Sequence, residues 1–159
     1  MKRFISVALL LALTACGSGT PAPNEALHAP HAGVQVQLRA VDAIGQGTLE
    51  WQGRPLSLRE PALATSADII DVSTNLDPAN QPALAFRFRP DAAERLHKAT
   101  EALVGKQVAV TVDDHVLTVA TVQGPFGASM QVNSAGASAQ QIQDLARYIT
   151  QGGPPVQLQ

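Results

Sequence analysis

Hydrophobic and polar residues alternate most regularly between Val104 and Val122, and this stretch sets the expectation for the rest of the fold. Valines recur at every second position of its first half, a period of two that is typical of a β-strand. A second β-branched run follows from Val116 onwards, after the acidic pair Asp113-Asp114. Two strand patterns separated by two turn-forming residues predict a β-hairpin.

The register of this hairpin follows from the position of its turn. A two-residue turn at Asp113-Asp114 would place three pairs opposite one another: Val112 with His115, Val110 with Leu117, and Val108 with Val119. Two of these pairs bring bulky apolar side chains together on one face, which favours the register. Two aspartates are acceptable at this turn but less favourable than Asn-Gly, which a type I′ turn prefers.

A second hairpin is predicted nearer the amino terminus. Residues 34–41 alternate apolar and polar side chains, which indicates a strand with one solvated face, and Gly45 and Gly47 then indicate a turn. A further turn centred on Gly53-Arg54 would give two facing pairs, Trp51 with Leu56 and Leu49 with Leu58. Pro55 has no N–H for a ladder hydrogen bond, so the second strand is expected to be short or at a sheet edge.

Two helices are predicted in the second half of the chain. Asp91 is expected to cap the first helix, with Glu94 at capping-box spacing and Gly105 at the carboxyl end. The second helix is expected to begin at Ser138, where Gln141 completes a capping box. Apolar residues recur at helical spacing in both helices, so each should bury one narrow face.

Further strand patterns occupy residues 83–88 and 130–132, whereas residues 60–82 show no regular pattern. Strands and helices in this order predict an α+β fold. The expected architecture is a mixed, largely antiparallel β-sheet with two α-helices packed on one face.

The amino-terminal residues have the pattern of an export signal. Lys2 and Arg3 precede an apolar run of about ten residues, which is shorter than a transmembrane helix requires. The run ends at Cys16 in the sequence LTAC, which resembles the lipobox of bacterial lipoproteins. We therefore expect residues 1–15 to be a signal peptide, Cys16 to carry lipid, and residues 16–33 to be a flexible tether.

Such an anchor would hold a domain of residues 34–159 at a membrane without spanning it. The expected location is the bacterial cell envelope, with the domain facing the periplasm. Gly17 rather than aspartate follows Cys16. By analogy with enterobacterial lipoproteins, this favours the outer membrane over the inner membrane.

Composition and charge argue against several partners. The formal net charge is −2, and without Lys2 and Arg3 the chain has nine basic against thirteen acidic side chains. No basic cluster remains, so nucleic-acid binding is not expected. Cys16 is the only cysteine, so the domain is expected to have no disulfide. No cofactor is predicted.

The candidates for chemistry are few. Asp113, Asp114 and His115 could bind a metal ion or transfer a proton, but adjacent turn residues point in different directions, which favours a solvated turn. His28 and His31 form H-x-x-H, half of a metal site, without an accompanying cysteine or acidic cluster. The common phosphate-loop, zinc-protease and serine-hydrolase motifs are absent from the sequence. No catalytic or metal-binding residue is therefore assigned.

With these elements in order, residues 82–155 resemble the head subdomain of the first periplasmic domain of SecD, a membrane subunit of the bacterial protein-export machinery. The matching sequences are ALAFRF, VGKQVAVTVDDHVLTVATVQG and SAQQIQDLARYITQGGPPV. Gly105-Lys106 and the hairpin behind them are the most specific part. The resemblance implies the fold of the head and an affinity for unfolded or exported polypeptide. It does not imply export activity, because the membrane-spanning helices of SecD have no counterpart after Cys16.

Two functional hypotheses follow. The favoured one is a non-catalytic, lipid-anchored envelope protein that binds polypeptide or an envelope protein partner, with the edge strand around Pro55 accepting an extended segment. The alternative is a metal-dependent or hydrolytic periplasmic enzyme that uses the Asp113-Asp114-His115 turn. The first is favoured because the sequence offers no convergent set of catalytic groups.

Overall fold

The computed structural model describes residues 28–134, 136–154 and 156. The predicted signal peptide, Cys16 and most of the predicted tether lie outside these residues. The described residues form an α+β fold, as the sequence predicts. The strands are β1 (Val36–Trp51), β2 (Arg54–Leu58), β3 (Ala64–Thr65), β4 (Ile69–Leu76), β5 (Pro82–Phe88), β6 (Gln107–Val112), β7 (His115–Thr121) and β8 (Ser129–Val132). The helices are α1 (Pro90–Glu101), α2 (Ala139–Gln151) and a 3-10 turn (Ser66–Asp68).

The strands form two antiparallel sheets, whereas the sequence pattern suggested one. The first sheet has the order β2-β1-β6-β7, with β3 paired to β1, and the second has the order β4-β5-β8. β4 lies in the region that has no regular pattern in the sequence. Ile69 and Val72 are its fully buried residues, and its last four residues are exposed. Pairing with β5, rather than an alternating pattern, therefore identifies β4 as a strand.

One hydrophobic core joins both sheets and both helices. The strand residues in it are largely those that the alternation predicts: Val36 and Leu38 from β1, Leu84, Phe86 and Phe88 from β5, and Val108, Val110 and Val112 from β6. α2 adds Ile142, Leu145 and Ile149 and packs against β4 and β5. α1 adds Ala92 and Leu96. The predicted buried faces of these elements are thus confirmed.

The β6–β7 hairpin is present, with a register that changes along its length. Its two-residue turn places Val112 opposite His115, as predicted, and Asp113 has a positive φ of 52°. The next predicted pairs are wrong, because Leu117 is an extra residue between the pairs of the ladder and shifts the later pairs by one. The observed partners are Val110 with Thr118 and Val108 with Ala120. Leu117 itself stays buried inside this β-bulge.

The turn between β1 and β2 lies one residue earlier than predicted. Trp51 pairs with Arg54, so the turn residues are Gln52 and Gly53, and not Gly53 and Arg54. Both turn residues have positive φ, 51° and 71°, as a type I′ turn requires. The predicted pairs of Trp51 with Leu56 and of Leu49 with Leu58 are therefore wrong.

β1 also continues through the glycines that were predicted to mark a turn. Ile44 and Leu49 both face Leu56, so the intervening residues bulge out of the ladder without ending the strand. A Cβ atom at Gly47 would lie 2.2 Å from the backbone oxygen of Leu56. Gly47 therefore permits a close approach of two backbones, and it does not reverse the chain.

The two helix starts differ in how well the sequence predicted them. α1 begins at Pro90 with Arg89 at the N-cap, so Asp91 is not the cap; proline supplies the helical φ at the first position. α2 has the predicted capping box. The Gln141 N–H donates to Ser138 Oγ at 3.2 Å, and the Ser138 N–H donates to Gln141 Oε1 at 2.9 Å.

Residues 28–33 fall in the predicted tether but are bonded to the domain. The His28 carbonyl accepts the Val72 N–H of β4 at 2.9 Å, and the His31 N–H donates to the Ile149 carbonyl of α2 at 2.7 Å. The His28 N–H also donates to Asp71 Oδ1 at 3.0 Å. Within the predicted tether, His28 and His31 are therefore hydrogen-bonded to β4 and α2.

Candidate functional site

The Asp113 side chain, a candidate for chemistry, is engaged in structural hydrogen bonds. Its Oδ1 accepts the Gln35 N–H at 2.9 Å, and its own N–H donates to the Gln35 carbonyl at 2.7 Å. Its Oδ2 accepts the Tyr148 hydroxyl at 2.7 Å. Asp113 therefore joins the hairpin turn to the chain before β1 and to α2.

The hydrogen bond to Asp113 also changes the acidity of Tyr148. The carboxylate accepts a hydrogen bond from the phenolic hydroxyl, and this bond is the main cause that raises the pKa of Tyr148. Partial burial and the negative charge of Asp113 add to it. The tyrosine is thereby kept protonated and fixed beside the turn.

The structure does not assemble the Asp113-Asp114-His115 turn into a metal-binding cluster. Asp114 and His115 are exposed, while Asp113 turns towards Gln35 and Tyr148. Within residues 28–134, 136–154 and 156, no group of three or more His, Cys, Asp or Glu side chains has metal-binding geometry. His28 and His31 are separately used in attaching the chain to β4 and α2. The geometry gives no support to the enzyme hypothesis.

The edges of the two sheets are the remaining candidates, because an unpaired strand edge can bind an extended polypeptide. β2 is an edge strand, as Pro55 predicts. It is poorly suited to pairing, however, because Pro55 lacks an N–H and the Leu58 carbonyl accepts from Arg39 at 3.4 Å. Arg39 is also ion-paired with Glu60. β2 is therefore a protected edge.

The edges of the second sheet are also limited. The outer edge of β4 is occupied at Val72 by His28. β8 has four residues, of which Met130 and Val132 are the ones that are not fully exposed. Neither strand offers a long free ladder within the part of the chain that the structure describes.

β7 has the most available edge. It ends the strand order of the first sheet, and its residues other than the bulged Leu117 are paired with β6 on one side. The Lys106 carbonyl accepts the Val122 N–H at 2.9 Å, so alternation directs the N–H groups of Thr118 and Ala120 towards β6. The N–H groups of Val119 and Thr121 therefore point outwards. Among the described residues, no backbone hydrogen bond reaches this outer edge.

Three grooves border β7 along its length. One of about 410 Å³ lies at its start, lined by Val116, Leu117 and the α2 residues Leu145 and Tyr148. A second of about 340 Å³ lies at Thr118 and Val119, and the half-buried Trp51 lines it. A third of about 610 Å³ reaches Thr121 at the end of β7 and is otherwise lined by β1, Arg59 and the chain that leads from α1 into β6. Because side chains of an added strand alternate in direction, such grooves could receive them.

Comparison with known proteins assigns the domain. The family described as SecDF, P1 head subdomain, matches residues 42–156. The chain belongs to this family. The match extends upstream of the predicted region 82–155 and includes most of β1, β2 and β4. The resemblance to the SecD head is therefore confirmed.

Several similar proteins are SecD or SecDF subunits. The protein translocase subunit SecD of Aquifex aeolicus is 30% identical over 104 residues, which are 65% of this chain and 21% of that protein. SecD of Acidaminococcus fermentans is 30% identical over 96 residues, 60% of this chain and 23% of that protein. The protein translocase subunit SecDF of Thermus thermophilus is 26% identical over 98 residues, 62% of this chain and 13% of that protein. The chain thus spans less than a quarter of the length of these relatives.

Solved structures agree on the fold. A structure described as SecDF, a membrane component that enhances protein export, superposes with a TM-score of 0.60 at 20% identity. The match covers 77% of this chain and 64% of the SecDF chain. SecDF in a form described as super-membrane-facing gives a TM-score of 0.58, and the match covers 77% of this chain and 19% of that SecDF chain. Across the described residues, this SecD-type chain has no helix that is both long and apolar enough to cross a bilayer.

The sequence identified the β6–β7 turn as a candidate site, but it did not predict the structural hydrogen bonds of that turn. It named Asp113, Asp114 and His115 but could not place Tyr148 beside Asp113, because those residues are far apart in the chain. It also missed Glu50, which lines the 410 Å³ groove with the turn. The signal available was weak: Tyr148 flanks the apolar stripe of α2 and is the only tyrosine.

Proposed function

We propose that this chain is a non-catalytic, lipid-anchored protein of the bacterial envelope whose SecD-type head domain binds extended polypeptide. The observation that carries the proposal is the unpaired outer edge of β7, bordered by grooves, on a domain of this family. Backbone groups of β7 supply affinity that is independent of sequence, as a protein that meets unfolded chains requires.

A proline substitution tests the site. Val119→Pro removes an N–H that points away from β6, so the β6–β7 ladder keeps its hydrogen bonds while an added strand loses one. The full chain, carrying a photoreactive residue at the exposed Ala120, is crosslinked to a permanently unfolded polypeptide and to envelope extract. We expect crosslinks in the parent chain and a loss of roughly tenfold in Val119→Pro, given the cost of a buried unpaired group.

The matched control is Val119→Thr, which keeps the N–H and has high β-propensity. It should crosslink like the parent chain. Circular dichroism establishes that both variants are folded. Equal crosslinking of Val119→Pro and Val119→Thr would reject β7 as the binding edge, and an absence of crosslinks from the parent chain would reject polypeptide binding.

The lipid anchor is a separate part of the proposal and rests on the lipobox-like sequence that ends at Cys16. Cys16→Ser should remove incorporation of labelled palmitate and move the protein from the membrane to the soluble fraction, because a serine cannot carry the thioether-linked lipid. Continued membrane association of Cys16→Ser would contradict the anchor. Separation of inner and outer membranes on a density gradient then tests the favoured outer-membrane location.

A further inference from the structure

We infer that the groove at the start of β7 selects polypeptide segments in which a lysine or arginine stands beside apolar residues. This inference rests on the proposed polypeptide binding and adds the class of segment that is preferred. The groove has a volume of about 410 Å³ and lies between the β6–β7 hairpin and α2. Its apolar floor, its acidic rim and an aromatic ring in its wall point to an occupant that is both cationic and apolar.

The floor of the groove is apolar. Val112, Leu117 and Leu145 line it, and each is buried in the folded domain. Val116 is half-buried at the same groove and lies next to the outer edge of β7. An apolar side chain from an added strand would therefore leave water mainly against Val116, above the buried residues, which is favourable in proportion to the area covered.

The rim of the groove is acidic. Glu50 and Asp114 are exposed lining residues, and neither forms an ion pair among the described residues. Asp113 adds a third carboxylate, already bonded to Gln35 and Tyr148. Lysine and arginine do not line the groove among the described residues. A cation in an occupant would thus meet two available carboxylates and no like charge except a protonated His115.

An aromatic ring forms part of the wall. Tyr148 lines the groove, and its hydroxyl donates to Asp113 Oδ2 at 2.7 Å, so the ring has a fixed position. Ammonium and guanidinium groups are attracted to the face of such a ring. The ring and the carboxylates favour the same charge, and the apolar floor favours the residues next to it. An acidic segment would meet repulsion at the same place.

The test compares two unstructured peptides that bind in extended form. Both contain alternating valine and threonine, and they differ in carrying either two lysines or two glutamines at equal positions. Binding to the full chain is measured by fluorescence anisotropy. We expect the parent chain to bind the lysine peptide about fivefold more tightly, since partly exposed charge pairs contribute modestly. The preference should fall as ionic strength rises.

The deciding variant is Glu50→Gln with Asp114→Asn. It should bind both peptides equally, with an unchanged Kd for the glutamine peptide, because the apolar floor and the β7 edge remain. The matched control is Glu94→Gln with Glu101→Gln, which changes the net charge equally on the exposed face of α1 and leaves the groove intact. This control should keep the fivefold preference.

The outcomes separate the two proposals. Equal binding of both peptides by the parent chain overturns the selectivity and leaves polypeptide binding standing. A preference that falls equally in both double variants also overturns it, because the net charge and not the groove would then be responsible. Failure of both peptides to bind the parent chain rejects the proposed function itself.

Discussion

Asp68 is a buried carboxylate, and its hydrogen-bond partners stabilise its charge. Its side chain accepts the Thr65 N–H at 2.9 Å and Arg95 Nη2 at 2.8 Å, which ties the 3-10 turn to α1. Burial raises the pKa of this carboxyl. The hydrogen bonds from Arg95 and Thr65, together with the positive charges of Arg95 and Arg89, outweigh burial, so the pKa is held below its ordinary value. The residue stabilises a connection between elements that are distant in sequence.

Asp68→Asn is therefore expected to lower the free energy of unfolding by about 2 kcal/mol near neutral pH. Because the folded carboxyl has the lower pKa, its stabilisation is complete above the unfolded value of 3.8 and is lost as the pH falls through the folded value. Urea unfolding of both proteins at a series of pH values measures this. The control Asp91→Asn removes an exposed partner of Arg95 and should cost below about 0.5 kcal/mol. A difference between Asp68→Asn and the parent that persists at the lowest pH would contradict the assignment.

Tyr148 offers a second prediction at a single residue. It is the only tyrosine, so the ultraviolet absorbance of phenolate follows its titration alone. Asp113→Asn removes the negative charge and the strong acceptor that raise its pKa, and the titration midpoint should move down towards the ordinary value. Asp144→Asn, on the same helix without a bond to Tyr148, should leave the midpoint nearly unchanged. Coincident curves for the parent and Asp113→Asn would mean that the hydrogen bond is absent in solution.

At the scale of elements, the β1–β2 hairpin depends on Gly47 more than on the glycine of its turn. A Cβ at Gly47 would meet the Leu56 backbone oxygen at 2.2 Å, whereas a Cβ at Gly53 would meet nothing within 4 Å. Both have positive φ. Gly47→Ala should therefore cost at least about 3 kcal/mol, and Gly53→Ala about 1 kcal/mol from backbone strain alone. Thermal unfolding of the two variants gives the comparison, and equal losses would show that the close approach is not maintained.

The sequence predicted most strands but not the irregularities within them. Period-two patterns correctly identified β1, β5 and β6, because alternate side chains of each lie in the core. They also identified β7, whose one fully buried residue is Leu117. Bulges at Gly45–Thr48 and at Leu117 escaped prediction, because an extra residue leaves the local pattern intact while it shifts every later pair. β4 escaped for a different reason, since half of it is exposed and β5 supplies its pairing.

The candidate site was predictable only in part, because some of its residues are far apart along the chain. The acidic turn was visible because its residues are adjacent. Asp113 bonds to Gln35, which precedes β1, and to Tyr148 of α2, while Glu50 of β1 lines the same groove. Sequence spacing carries no information about such meetings. The favoured edge also changed from β2 to β7, because Arg39 covers a carbonyl of β2 that no local pattern reveals.

At the scale of the whole molecule, the proposed anchor at Cys16 would make the boundary between tether and domain set how far the domain can stand from a membrane. A tether of residues 17–27 would reach at most about 40 Å when fully extended, and one of residues 17–33 about 60 Å. The bonds of His28 and His31 to β4 and α2 favour the shorter reach. They also place His28 and His31 beside Val72 of β4 and Ile149 of α2.

Truncation tests this boundary. A chain that begins at His28 keeps the backbone bonds from Val72 to His28 and from His31 to Ile149, whereas a chain that begins at Val34 loses both, as well as the exposed bond from His28 to Asp71. With each of the two backbone hydrogen bonds contributing about 1 kcal/mol net, the shorter chain should be less stable by at least about 2 kcal/mol. Its Val72 amide should also exchange with deuterium faster, because its acceptor is gone. Equal stability and equal exchange would mean that residues 28–33 act as tether, and the longer reach would then apply.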